Sequence, residues 1–235
     1  MRKIIITDLT RFSNQDILCT AGIDVDTHEC IRPMPYLQTS RCRELNMLPG
    51  AILTGSFSNH NNTEIPHIED MDYKNIKFHG HCTSNEFRDI LCKSAYQSIE
   101  DGFEVSLENR QKHISREANP VRSLITISVN PQSIQIIQDQ YNPSKIKAHV
   151  TDKTGKEFSF LSITDFGLHE YAEKHYQEVG NYSNINNLLQ SQEEVFLRIG
   201  ISRFYEAPNG KAGFWIQVNG IYSFPEYFEA ARQYE

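Results

Sequence analysis

Short apolar runs broken by turn residues dominate the chain, and most are too short for helices. Ile4-Ile5-Ile6 and the Ile-Leu-Cys-Thr-Ala run at 17–21 read as strands. The polar stretch 24–29 reads as a hairpin turn into Cys30-Ile31-Arg32, and Pro33 and Pro35 end that strand because proline supplies no ladder donor. Residues 51–57 form a further strand, entered through the Pro49-Gly50 turn. The period then changes. Thr83 and Glu86 have capping-box spacing, and Phe87, Ile90, Leu91, Ala95 and Ile99 fall on one helical face. A helix is expected over 84–97, stopped by Asp101-Gly102.

Residues 107–119 are polar and basic, and Pro120 closes them, which divides the chain into halves at 1–115 and 120–235. The second half reads as strands at 123–129, 134–137, 145–150 and 157–163, with a turn at 152–155. Thr164-Asp165 caps a helix over 167–179 that Gly180 ends. A strand at 196–201, an aromatic hairpin within 200–225 and a short terminal helix over 225–235 complete it. Short antiparallel strands with a helix between the third and fourth form the pattern of the oligonucleotide/oligosaccharide-binding (OB) barrel. The expected fold is mostly β with minor α: two OB-like five-stranded barrels, each with one main helix. A sequence echo fits two such halves. Thr10-Arg11-Phe12 and Ser202-Arg203-Phe204 each precede a polar interruption and an apolar run ending in Gly-Ile, at Gly22-Ile23 and Gly220-Ile221.

Composition narrows the partners. The 235 residues carry a formal net charge of −7, which argues against a protein that coats duplex phosphates. Local basic clusters remain, at Arg32, Arg41 and Arg43 and at Arg110, Lys112, Arg116 and Arg122. No apolar run approaches the ~20 residues of a membrane span, and Asp8 and Arg11 interrupt the basic-apolar start that would otherwise suggest a signal peptide. Five cysteines without an export signal lead to the expectation of reduced thiols and a cytoplasmic location.

These elements carry a family resemblance. The Ala-Gly-Ile-Asp at 21–24, Ile-Arg-Pro at 31–33, Thr164-Asp165, and the C-terminal stretches 198–203 and 215–227 resemble the dual OB-containing domain family, a prokaryotic group found near phage-defence and other conflict genes. The resemblance implies two fused or interleaved barrels and a role in nucleic-acid recognition, with partner proteins from a defence system. It carries over no catalytic residues.

Single-stranded nucleic acid is held by aromatic platforms and cations. The aromatic hairpin offers Phe204, Trp215 and Tyr222 with Arg203, Lys211 and Asn219, and Arg11 and Arg32 add phosphate-binding candidates. Strand alternation sets Trp215 with Gln217 and Asn219, opposite Phe214 and Ile216. A structural role for Arg11 and Arg203, paired with Asp8 and Asp165, is the competing reading. His79, His81 and Cys82 form a weak metal set, lacking any paired C-x-x-C. Asp24 with Asp26, and Glu69, Asp70 and Asp72, are the acids that could hold magnesium for a metal-dependent nuclease, a weaker option because such sites need several converging carboxylates. No P-loop, dinucleotide fingerprint, nucleophile elbow or H-E-x-x-H occurs, so the expectation is a non-enzyme without cofactor, binding nucleic acid. A nucleotide or small-molecule sensor, or a protein-interaction module using the same hairpin, is the alternative.

Overall fold

The apolar runs of the first 81 residues close into a barrel. A computed structural model describes residues 1–61, 63–142, 145–207, 210–227, 229–232 and 234. Strands β1 (Arg2–Arg11), β2 (Ile17–Asp24) and β3 (Cys30–Met34) precede a one-turn helix, α1 (Thr39–Glu44), and strands β4 (Ala51–Asn59) and β5 (Asp70–His81) follow. β1 pairs antiparallel with both β2 and β4, and β3 runs parallel to β5, so the ring reads β1-β2-β3-β5-β4 and back to β1. Alternation sorts the side chains: Ile4, Ile6, Leu18 and Ile31 fill the barrel, while Ile5 and Ile23 point outward.

The next helix, α2 (Ser84–Lys93), has both hydrogen bonds of the expected capping box. It ends earlier than the apolar pattern implies, because Ala95-Tyr96 pairs along a strand of the second barrel. Ser98 then caps a separate turn, α3 (Ile99–Phe103), which runs through Asp101-Gly102 instead of stopping there. Ile99, Phe103, Leu107 and Ile114 all pack into the second barrel's core.

That barrel repeats the first one's order with a divided first strand. β6 (Leu124–Val129) and β7 (Ile134–Gln138) are separated by a 3-10 turn at Pro131–Ser133, where Asn130 accepts the amide hydrogen of Gln132. β7 pairs with β8 (Ile146–Thr151) and β8 with β9 (Glu157–Ile163). The chain then forms α4 (Phe166–Val179), capped by Asp165 and closed by left-handed Gly180, and α5 (Ser183–Gln190). α5 is absent from the sequence reading because its asparagines favour turns, yet Ile185 and Leu189 anchor it. β10 (Glu194–Ile201) pairs with β6 and with β11 (Ala212–Phe224), and β11 lies parallel to β9. The terminal helix expected over 225–235 is described only as a 3-10 turn at Glu229–Ala231, and positions 228, 233 and 235 lie outside the described residues. Among the described residues no helix is long and apolar enough to cross a membrane.

The echo resolves into a seam rather than a repeat. The first copy forms strands one and two of its barrel, and the second forms strands four and five, so the two hairpins are not equivalent. They lie back to back. Ile5 and Ile23 meet Phe196, Tyr222 and Phe224, with Phe87, Ile90 and Leu91 of α2 completing the cluster. Each hairpin bulges there, between Ile6 and Asp8 and between Arg198 and Ile199. The glycines of the echo face these bulges: a Cβ on Gly22 would lie 2.7 Å from the Ile5 carbonyl oxygen, and one on Gly220 2.7 Å from the Tyr222 hydroxyl. Residues beside the bulges form a buried ion pair across the seam. Arg198 Nε donates to Asp8 Oδ2 at 2.9 Å, and its Nη1 donates to Thr126 at 2.8 Å.

Candidate nucleic-acid interface

Beyond the ion pair the two hairpins diverge and leave a groove of about 690 Å³. Its walls hold both triplets of the echo, Thr10-Arg11-Phe12 and Ser202-Arg203-Phe204. Backbone bonds pin the junction: Arg11 N–H donates to the Thr164 carbonyl at 3.0 Å and Ser202 N–H to the Trp215 carbonyl at 2.9 Å. The first barrel contributes Phe12 from the loop between strands one and two, Cys19 and Arg32 from strands two and three, and His67 from the loop between strands four and five. OB barrels bind their ligands between those same elements. The second barrel lends its own four-five loop, 202–205, as the opposite wall.

Three guanidiniums stand in this groove, and one carboxylate holds two of them. Asp70 accepts from Arg32 Nε at 2.5 Å and from Arg203 Nη2 at 2.7 Å. Burial would raise the Asp70 pKa, but these two cations hold it below the usual carboxylate range. Arg203 also reaches the Tyr36 hydroxyl, and its side chain remains 46% exposed. The Arg11 guanidinium lies against the His169 ring. Beside Arg32, His67 is buried, and burial, then Arg203 and Arg32, push its pKa down to about 3. Its neutral ring accepts from Arg32 at Nδ1, 3.1 Å away, which leaves the proton on Nε2. That N–H has no acceptor among the described residues, and the same holds for the Trp215 indole N–H. The Thr10 hydroxyl is likewise unpartnered. A groove lined by cations and unanswered donors suits an acceptor-rich, anionic occupant.

The model of the dual OB-containing domain family matches residues 3–221, which spans both barrels and the seam. The chain belongs to that family. No curated protein matches it. In this dual OB domain the aromatic side chains flank the groove in two groups. Phe12 and Tyr36 lie 4.9 Å apart on the first barrel. On the second, Phe204 is 48% exposed with Arg116 over its ring at 5.6 Å, and Trp215 rests on His113 at 5.4 Å. Lys211 is exposed at the far end of the same hairpin.

Several sequence expectations are corrected here. Tyr222 is 0% exposed and donates to the Thr7 carbonyl at 2.6 Å, so it belongs to the seam and offers no stacking surface. Asn219 falls at the β10–β11 bulge, which breaks the alternation that grouped it with Trp215; it is buried and accepts from the Thr164 hydroxyl at 3.0 Å. Arg32, a phosphate-binding candidate in the sequence, lies on β3 and is buried in the groove's lining. Neither Arg11 nor Arg203 takes the partner expected for a structural role, because Asp8 binds Arg198 and Asp165 binds Arg232. Of the acids considered for magnesium, Glu69 accepts the Ser123 and Leu124 amide hydrogens, Asp70 holds the arginines, Asp24 holds Arg2 and Asp72 contacts His60, while Asp26 is exposed. His79 and His81 do not form a shared face, since a bulge and left-handed Gly80 interrupt β5 between them. His79 contacts Thr54, His81 packs edge-on against Phe78, and the Cys82 amide hydrogen binds the Gly50 carbonyl. Tyr36 and His67 had no sequence signal, because only the closed barrel brings them beside Arg203.

Acid sensitivity follows from the buried histidines. His169 is lowered to about 4, by burial and then by Arg11. Both His67 and His169 are neutral when folded, whereas the unfolded chain protonates them near the ordinary value of about 6.5. Their contribution to stability is therefore complete above that pH and is lost as pH falls to about 4 for His169 and about 3 for His67. Asp24 and Asp70, with lowered pKa values, begin to act only at the acid end of this window. The urea midpoint is expected to fall across the histidine window, and a His67→Gln, His169→Gln double variant is expected to flatten that fall. An equally steep fall in the double variant would refute the assignment.

Proposed function

We propose that this dual OB module is a non-catalytic binder of single-stranded nucleic acid, with the inter-barrel groove as its grip. One observation carries the reading: three guanidiniums, two of them sharing a single carboxylate, stand on an OB ligand face beside ring surfaces and donors that lack acceptors. Phosphates suit Arg11 and Arg203, and bases suit Phe204, Trp215 and the Phe12–Tyr36 pair. The acidic net charge favours a small local footprint, and the family's neighbourhood favours partner proteins of a bacterial defence assembly that supply the rest.

Fluorescence anisotropy with labelled single-stranded DNA and RNA tests this. The expected result is micromolar or tighter binding that weakens with salt, with a log–log slope of about −0.7 per phosphate contacted. Salt-independent binding, or none for either polymer, would reject it. A nucleotide sensor is the second reading, favoured by the groove's volume, which lies in the small-molecule range. A melting-temperature rise with one free nucleotide, and no binding to oligonucleotides, would select that reading.

A further inference from the structure

We infer that the outer face of the second barrel is a separate binding segment for single-stranded nucleic acid, continuous with the groove through Trp215. This rests on the reading of the groove given above. In the second barrel Ile146, Ala148 and Val150 of β8, Leu161 and Ile163 of β9, and Phe214, Ile216 and Val218 of β11 point into the core. The intervening residues therefore face outward. Register aligns Lys147, Ser162 and Gln217 as one row across these three strands, and the Lys147 ammonium donates to the Ser162 hydroxyl at 2.8 Å. Two residues earlier on the parallel strands β9 and β11 stand Phe160 and Trp215.

The rings and cations around them form an unbroken chain. His149 packs edge-on against Phe160 at 4.6 Å, and the Lys112 ammonium lies 5.9 Å from the Phe160 centroid. Lys112 accepts the Ile216 amide hydrogen at its carbonyl, and the next residue, His113, rests on Trp215. Trp215 also lines the groove. β8 and β9 are the second and third strands of their barrel, the surface on which OB folds carry oligonucleotides. In the first barrel the outward side chains of β1 and β2 are consumed by the seam, whereas the outward side chains of β8 and β9 are half-buried to exposed.

Phe160 is the second, independent sign. It is 37% exposed and adopts φ 59°, a left-handed conformation that bulky side chains rarely take. The slip of register between β8 and β9 creates that conformation and turns the ring outward. A left-handed backbone that keeps a large ring partly at the surface, covered by His149 and Lys112, is the pattern of binding sites. The charge is complementary to a phosphate chain: Lys112 and Lys145 lie near enough to Lys147 to help burial lower its pKa, and Asp139 pairs with Lys147 at 3.4 Å. The aromatic platforms favour exposed bases, hence single strands over duplex.

The test compares labelled oligothymidylates of about 5 and about 20 nucleotides, within and beyond the site sizes of one OB fold. Phe160→Gly removes the ring, and relief of the left-handed backbone offsets part of the packing lost, so the variant is expected to remain folded with a melting temperature within a few degrees of the parent's. It should weaken binding of the long oligomer about tenfold, the scale of one stacked base, and leave the short one unchanged. Lys112→Ala should do the same more mildly and reduce the salt slope for the long oligomer alone. Unchanged affinity for the long oligomer in both variants, while Arg203→Ala weakens both lengths, would overturn the second segment and leave the groove standing. Equal weakening of both lengths by Phe160→Gly would overturn the division into two segments. No binding of either oligomer by the parent protein would sink the groove reading as well.

Discussion

Asp8→Ala is expected to lower the unfolding free energy by about 3–5 kcal/mol, measured by urea denaturation, the cost of breaking a buried ion pair. Asp8 and Arg198 are both buried at the seam, and the guanidinium makes further bonds to Thr126 and the Cys30 sulfur. Removing the carboxylate leaves an arginine that cannot reach water or lose its proton. Asp8→Leu combined with Arg198→Met is expected to cost much less than the two single changes together, because no unpaired charge remains. Additive losses would show that the two residues act separately. Since the pair joins the barrels, the parent chain is expected to unfold in one transition.

Arg203→Ala is expected to reduce affinity for single-stranded oligonucleotides about 10- to 100-fold, the scale of one charge-assisted hydrogen-bonded contact. The salt slope should fall by about 0.7. Stability should change little, since Arg203 is half-exposed and Asp70 keeps its bond to Arg32. Arg203→Lys should recover the slope but only part of the affinity, because an ammonium lacks the planar fork. Wild-type affinity in Arg203→Ala would move phosphate binding away from the groove.

The candidate site was only half legible in the chain. Arg11, Arg203, Phe204 and Trp215 stood out because guanidinium and ring residues cluster beside turns, and all four line the groove. Tyr222 and Asn219 look identical to them by composition. A bulge, which adds one residue to one strand and which no local pattern announces, turned Asn219 inward, and the seam enclosed Tyr222. His67 lies in a polar loop 136 residues before Arg203, so nothing short of closure could associate them.

What the sequence determined by itself is the inventory and order of local elements. Apolar runs, the Thr83–Glu86 capping box and the Asp165–Gly180 helix limits are interactions between residues near in the chain, and they recur in the structure with small shifts. The tertiary structure alone decided that the two echoing hairpins meet back to back and that one carboxylate, Asp70, ties arginines from different barrels. The physical reason is range. Hydrogen-bonded periodicity acts over a few residues, whereas burial and charge pairing act between any surfaces that folding brings together.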